Sequence, residues 1–181
     1  MKKCFLPLVI LLALSASVKL YGAPRELGRT NNETRVDGVV EPDEYSYAFK
    51  FKKAALYMNW RDETVYMAVT VRTKGWIALG YGSRVMNNSH IVIGYVGREE
   101  VVLREELGKG KGHGSADELH VRSYRMTEVS GITTLEIELD EGDVMEEGQK
   151  KLFFIVGYGS SDSLGQYHEG NRANSSVKLL W

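Results

Sequence analysis

Cysteine is all but missing from this 181-residue sequence, and the position of the single one matters more than the count. Cys4 stands in an N-terminal stretch laid out as a secretory signal: Met1-Lys2-Lys3, then an apolar run from Phe5 to Leu14, then small and polar residues. Residues 1–23 are expected to be a signal peptide lost on export, which leaves a mature chain without a thiol. That excludes disulfides, cysteine-ligated zinc, iron–sulfur clusters and covalent haem attachment together. Long apolar runs are also lacking. The one in the signal is shorter than the roughly 20 residues a membrane span needs, and no second run reaches that length. The mature chain is therefore expected to be soluble and exported, either periplasmic or secreted. An excess of one charge is missing too: 23 Lys and Arg face 24 Asp and Glu, a formal charge of -1. Nothing in that balance points to nucleic acid or an anionic membrane surface.

Amphipathic helices are absent as well; Asp140 to Lys151 could hold one helical turn. In their place the chain shows a period of two. Leu56, Met58 and Trp60 share one face of a segment, and Val65, Met67, Val69 and Val71 share one face of the next. Leu135-Glu136-Ile137-Glu138-Leu139 is apolar and acidic by turns. Such alternation predicts half-buried strands with one face on the core and the other in water. Further strands are expected at Tyr45 to Phe51, Trp76 to Tyr81, Ile91 to Val96, Val101 to Arg104, Leu119 to Arg125, Leu152 to Tyr158 and Val177 to Leu180. Short strands at this spacing predict an all-β, antiparallel β-sandwich of immunoglobulin-like type. With no repeat and no linker, residues 36–181 read as one domain behind a flexible N-terminal arm, residues 24–35. The glycine-rich stretch Gly108 to Ser115 lacks P-loop spacing and reads as a mobile surface loop.

Catalytic constellations are thin. No serine stands in a nucleophile elbow, and the carboxylates from Asp140 to Glu147 read as a solvated turn. His90, His113, His120 and His168 match no zinc spacing. No catalytic residue is assigned, and a non-enzymatic role is expected.

Two segments stand out. The first runs from Gly75-Trp76 through Gly80-Tyr81-Gly82 to Met86, then into Ile91-Val92-Ile93-Gly94-Tyr95-Val96. The second is Gln166-Tyr167-His168-Glu169-Gly170-Asn171-Arg172, leading into Val177 to Leu180. Together, and with Val36-Asp37-Gly38-Val39 and Leu56-Met58-Trp60 as an opening, they resemble the DOMON family over most of residues 36–180. That family is a β-sandwich whose members bind haem or sugar. The resemblance implies a non-covalent haem b held by Met86 and His168, matching the family's methionine and Tyr-His motif. A thioether and an imidazole would fill both axial positions and raise the reduction potential, which suits electron transfer. Trp76, Tyr81, Tyr95 and Tyr167 are candidates for the cofactor's apolar faces. Arg172 and Lys178 are candidates for its propionates. With no catalytic domain and no membrane span in the mature chain, a separate redox partner is implied.

The sequence departs from the family at two points. His90 stands where an acidic residue is usual, either as a replacement structural hydrogen bond or as a rival to Met86 for the iron; a pocket adapted to another ligand is a third reading. Glu138 stands where an arginine is common. Two other functions remain open: a carbohydrate-binding module using Trp60, Trp76, Tyr81 and Tyr95, and a metal-binding or sensory module using His113, His120 and the glycine-rich loop. The sugar reading needs at least two of its aromatics exposed in one groove.

Overall fold

The computed structural model describes residues 26–181, so the expected signal peptide, residues 1–23, lies outside the described residues. The strands are β1 (Glu26–Gly28), β2 (Tyr47–Phe51), β3 (Ala54–Arg61), β4 (Thr64–Val71), β5 (Ile77–Tyr81), β6 (His90–Val96), β7 (Val101–Lys109), β8 (Gly112–Ser115), β9 (Val121–Val129), β10 (Ile132–Asp140), β11 (Lys151–Tyr158) and β12 (Arg172–Leu180). One four-residue helix, α1 (Glu141–Val144), supplies the turn expected after Asp140. Seven strands form one sheet in the order β1-β12-β11-β5-β6-β7-β8, and five form the other in the order β2-β3-β4-β10-β9. The architecture is the β-sandwich that the alternation predicts.

The period of two decides what lies between the sheets. Met58 and Trp60 of β3, Val65 and Met67 of β4, and Ile137 and Leu139 of β10 point inward from the five-stranded sheet, with no exposed surface. They meet Leu79, Val92, Phe154 and Val156 from the seven-stranded sheet in one core. Truncating Trp60 or Phe154 to alanine there would cost about 3–5 kcal/mol.

Three local expectations are corrected. From Glu26 on, the N-terminal arm is not free. β1 pairs in parallel with β12, Leu27 is buried, and Arg29 bridges to Trp60 of the other sheet. Leu27 is an isolated apolar residue in a polar stretch, so no periodicity revealed it. Gly108 to Ser115 is not a loose loop. Lys109 pairs with Gly112 and Gly108 with His113, closing a two-residue hairpin at Gly110-Lys111, with Gly110 at φ 65°. β9 begins at Val121, and Leu119 is exposed ahead of it.

The outside of the five-stranded sheet departs from simple alternation. Glu136 points outward from β10 yet is fully buried, because the segment before β2 lies across it. Its carboxylate accepts the N–H groups of Asp37 and Gly38, at 3.0 and 2.6 Å, and the Tyr45 hydroxyl at 2.7 Å. Gly38 sits at φ 91°, and a Cβ there would overlap Thr127, so only glycine fits. Asn59, outward on β3, is likewise buried and donates to the Asn32 carbonyl and the Thr34 hydroxyl. Burial pushes the Glu136 carboxyl up from its ordinary value, against the pull of the Tyr45 and backbone donors. Glu138, two residues on, also faces outward but stays less buried, opposite Tyr66 and Ser123.

Candidate functional site

The outside of the seven-stranded sheet is built differently. On β5, Ile77, Leu79 and Tyr81 enter the core, so Ala78 and Gly80 face outward, along with Trp76 just ahead of the strand. The register sets Ala78 beside Ile93 and Gly157, and Gly80 beside Ile91 and Ile155. Small residues make a floor and large ones the walls, giving a cleft of about 340 Å3. That is within the size range of small-ligand sites. Trp76, Ile91 and Ile93 form a second apolar cluster with Met86, Tyr95 and Leu164 packed against it, separate from the core between the sheets.

Each end of the cleft presents a possible metal ligand. At the Tyr81 end, the loop between β5 and β6 brings in Met86. Its carbonyl accepts the Ser89 N–H at 3.0 Å, while Ser83 donates to the Asn87 carbonyl at 2.8 Å. The loop is tied to the β7–β8 hairpin: Asn88 N–H donates to Gly108, Gly108 N–H to Ser89, and Gly110 N–H to the Asn87 side chain. A Cβ on Gly108 would overlap the Met86 carbonyl, so that contact demands glycine. At the Trp76 end, the segment between β11 and β12 brings in His168, half-buried. The two ends lie five residues apart along the chain, roughly 17 Å at the usual strand rise.

The His168 carbonyl accepts the Asn171 N–H at 2.7 Å, and its ring Nδ1 accepts the Gly170 N–H at 3.2 Å. Burial, aided by the Arg172 guanidinium, lowers its pKa. The neutral imidazole is thereby favoured, which is the form a metal requires. The Gly170 bond leaves the ring proton on Nε2. Ligation through Nε2 would therefore move that proton to Nδ1 and end the bond.

Four of the eight predicted residues meet in the cleft: Met86, His168, Trp76 and Arg172. Tyr95 sits on the same outer face, against the second apolar cluster. Tyr167 is 67% exposed, its ring centroid 4.1 Å from that of His168. Two assignments are corrected. Tyr81 is five residues from Trp76, hence on the opposite face; it is buried in the core with its hydroxyl 3.2 Å from His120 Nδ1. Lys178 is six residues along β12 from Arg172, roughly 20 Å away, and pairs with Glu26 at 2.6 Å.

His90 does not rival Met86. It faces the side opposite Ile91, where Nε2 lies 3.0 Å from Glu105 and its ring stacks on His120 with centroids 4.0 Å apart. The structural hydrogen bond is the reading that stands. Sequence reasoning offered His113 only for a separate metal-binding or sensory module with His120, and did not set it at the cleft, since it lay in the stretch read as a loop. Among the described residues, no group of three or more His, Cys, Asp or Glu converges to hold a metal ion. A haem brings its own four equatorial nitrogens and asks the protein for axial donors and an apolar slot. A thioether and a neutral imidazole at opposite ends of an apolar cleft, with a guanidinium at hand, fit that demand.

No family model matches the sequence, and no curated protein matches it. Among solved structures, the cytochrome domain of cellobiose dehydrogenase from Myriococcum thermophilum superposes with a TM-score of 0.50 at 11% identity, covering 70% of this chain and 75% of that one. The cytochrome b domain of pyranose dehydrogenase from Coprinopsis cinerea gives 0.50 at 12% identity, covering 74% and 81%. A family 9 carbohydrate-binding module from Caldicellulosiruptor kristjanssonii, in complex with cellotriose, gives 0.47 at 9% identity, covering 84% and 83%. The two cytochrome likenesses show a DOMON-like fold. At such identities they show the fold alone.

Proposed function

We propose, on the premise of a DOMON-like fold, that this chain is an exported, non-catalytic, haem-b-binding domain that passes electrons. The observation that carries the reading is the meeting of Met86 and His168 at opposite ends of one apolar cleft. A bound haem would supply a one-electron iron couple. The chain supplies the rest. His168 offers an imidazole already biased toward its neutral state, and Met86 offers a soft sulfur from a loop pinned by the β7–β8 hairpin. Ile91, Ile93, Ile155 and Trp76 keep water from a flat apolar group. Arg172 is placed to pair with a carboxylate at the same cleft. Held by Met86 and His168, the haem would carry electrons and not bind substrate, and the chain would exchange them with a separate redox partner. Among the described residues no helix is long and apolar enough to cross a membrane. Export rests on the signal-like N-terminus.

The carbohydrate reading is weakened by burial. Of its four aromatics, Trp60, Tyr81 and Trp76 are 5% exposed or less, which leaves no stacking platform. The test is a haemin titration of the purified protein followed by dithionite. A sharpened Soret band with resolved α and β bands on reduction is expected, and His168→Ala should abolish that six-coordinate spectrum. A spectrum indistinguishable from free haemin would overturn the reading.

A further inference from the structure

The β7–β8 hairpin places a second imidazole beside the cleft. His113 lines it, and the ladder explains how. Glu106 pairs with Ile91, an outward-facing wall residue, so Glu106, Gly108 and their partners Ser115 and His113 face outward as well. Gly108, the ladder partner of His113, is the residue whose α-carbon packs on the Met86 carbonyl. His113 and Met86 therefore stand side by side at one end of the cleft, with His168 at the other.

The side chains around His113 are arranged as they are around metal-bound histidines. Its Nδ1 is hydrogen-bonded to the carboxylate of Glu106, which is 8% exposed. A carboxylate there holds the ring proton on Nδ1, leaves the Nε2 lone pair free for a metal, and strengthens it as a donor. His168 lacks that arrangement, since its Nδ1 accepts a backbone N–H. Met86 offers only a thioether, a weaker ligand for ferric iron than an imidazole so supported.

We propose that His113, held by Glu106, is an axial ligand for iron in this cleft, binding opposite His168 in place of Met86. The proposal rests on the haem reading above and changes its ligand set. The exchange is one of donors only: one iron–sulfur bond is replaced by one iron–nitrogen bond, and the Nδ1 proton stays with the Glu106 pair. Met86 then serves as a wall of the cleft, as its packing against Trp76, Ile91 and Ile93 already suggests.

The experiment is reconstitution of the full chain with haemin, followed by ferric and ferrous spectra and a potentiometric titration. Wild type is compared with His113→Ala, Met86→Ala and Glu106→Gln. If His113 is the ligand, Met86→Ala keeps the six-coordinate, low-spin spectrum. His113→Ala either loses it or gains the far-red charge-transfer band of a thioether bound to ferric iron. In the second case its potential rises at least tenfold in reduced-over-oxidised preference, about 59 mV for one electron. Glu106→Gln keeps the ligand but weakens it, so the potential moves the same way by less. A His113→Ala protein unchanged in spectrum and potential, beside a Met86→Ala protein that loses six-coordination, overturns the proposal and leaves haem binding intact. A wild type that binds no haem overturns both.

Discussion

Outside the five-stranded sheet, Glu136 and Asn59 are fully buried beneath the segment that runs from Thr30 to Tyr45. Outside the seven-stranded sheet, Ala78, Gly80 and Gly157 floor an open cleft. Both faces begin from the same alternation, and both carry outward residues that escape water. The first is closed by directional polar bonds, the second left open by small apolar residues. A carboxylate that accepts two backbone N–H groups and a hydroxyl specifies one partner in one register. An apolar floor specifies only shape, and so suits a flat ligand that is not part of the chain.

The sharpest way to break this contrast is to unfasten the closed face. Glu136→Ala leaves the Asp37 and Gly38 N–H groups and the Tyr45 hydroxyl without their acceptor. A loss of about 3 kcal/mol in urea unfolding is expected, with faster amide exchange around residues 30–46. A variant as stable as wild type would show that the cover contributes nothing. Next in size, Ala78→Phe fills the open face. Haemin affinity should fall at least tenfold, about 1.4 kcal/mol, while unfolding changes by less than about 1 kcal/mol. Unchanged affinity would place the ligand elsewhere.

The smallest effect is in pH. The Glu136 pKa is raised in the folded state above its ordinary 4.5, so the folded protein holds that proton more tightly than the unfolded chain. Its contribution to stability is greatest below 4.5 and declines as pH rises through the folded pKa. Glu136→Gln keeps an acceptor for the two N–H groups and a donor for Tyr45 while removing the titration. Its stability should vary less across that range than wild type's, and identical profiles would mean that Glu136 does not titrate there.

The strands and the inward residues were legible because alternation is a local property of sequence. So is the fate of Tyr81: an odd step of five residues from Trp76 sets it on the opposite face. Lys178 could have been set aside on the rise per residue. Other features were not local. Glu136 looks like Glu138 in sequence, and only the chain lying over one of them tells them apart. His113 acquires its neighbours from a hairpin whose turn, Gly110-Lys111, was hidden in a run of glycines. Met86 and His168 were found by resemblance to a family, since a lone methionine and a lone histidine carry no signal of their own.

Gly108 is where a backbone rests directly on a backbone, with no side chain at that contact to absorb motion. Flexible side chains act as cushions, and this joint has none. An inserted sequence at the open Gly110-Lys111 turn would therefore bear on the Met86 loop through main chain at Gly108, which makes that turn the place to attach a reporter for what enters the cleft.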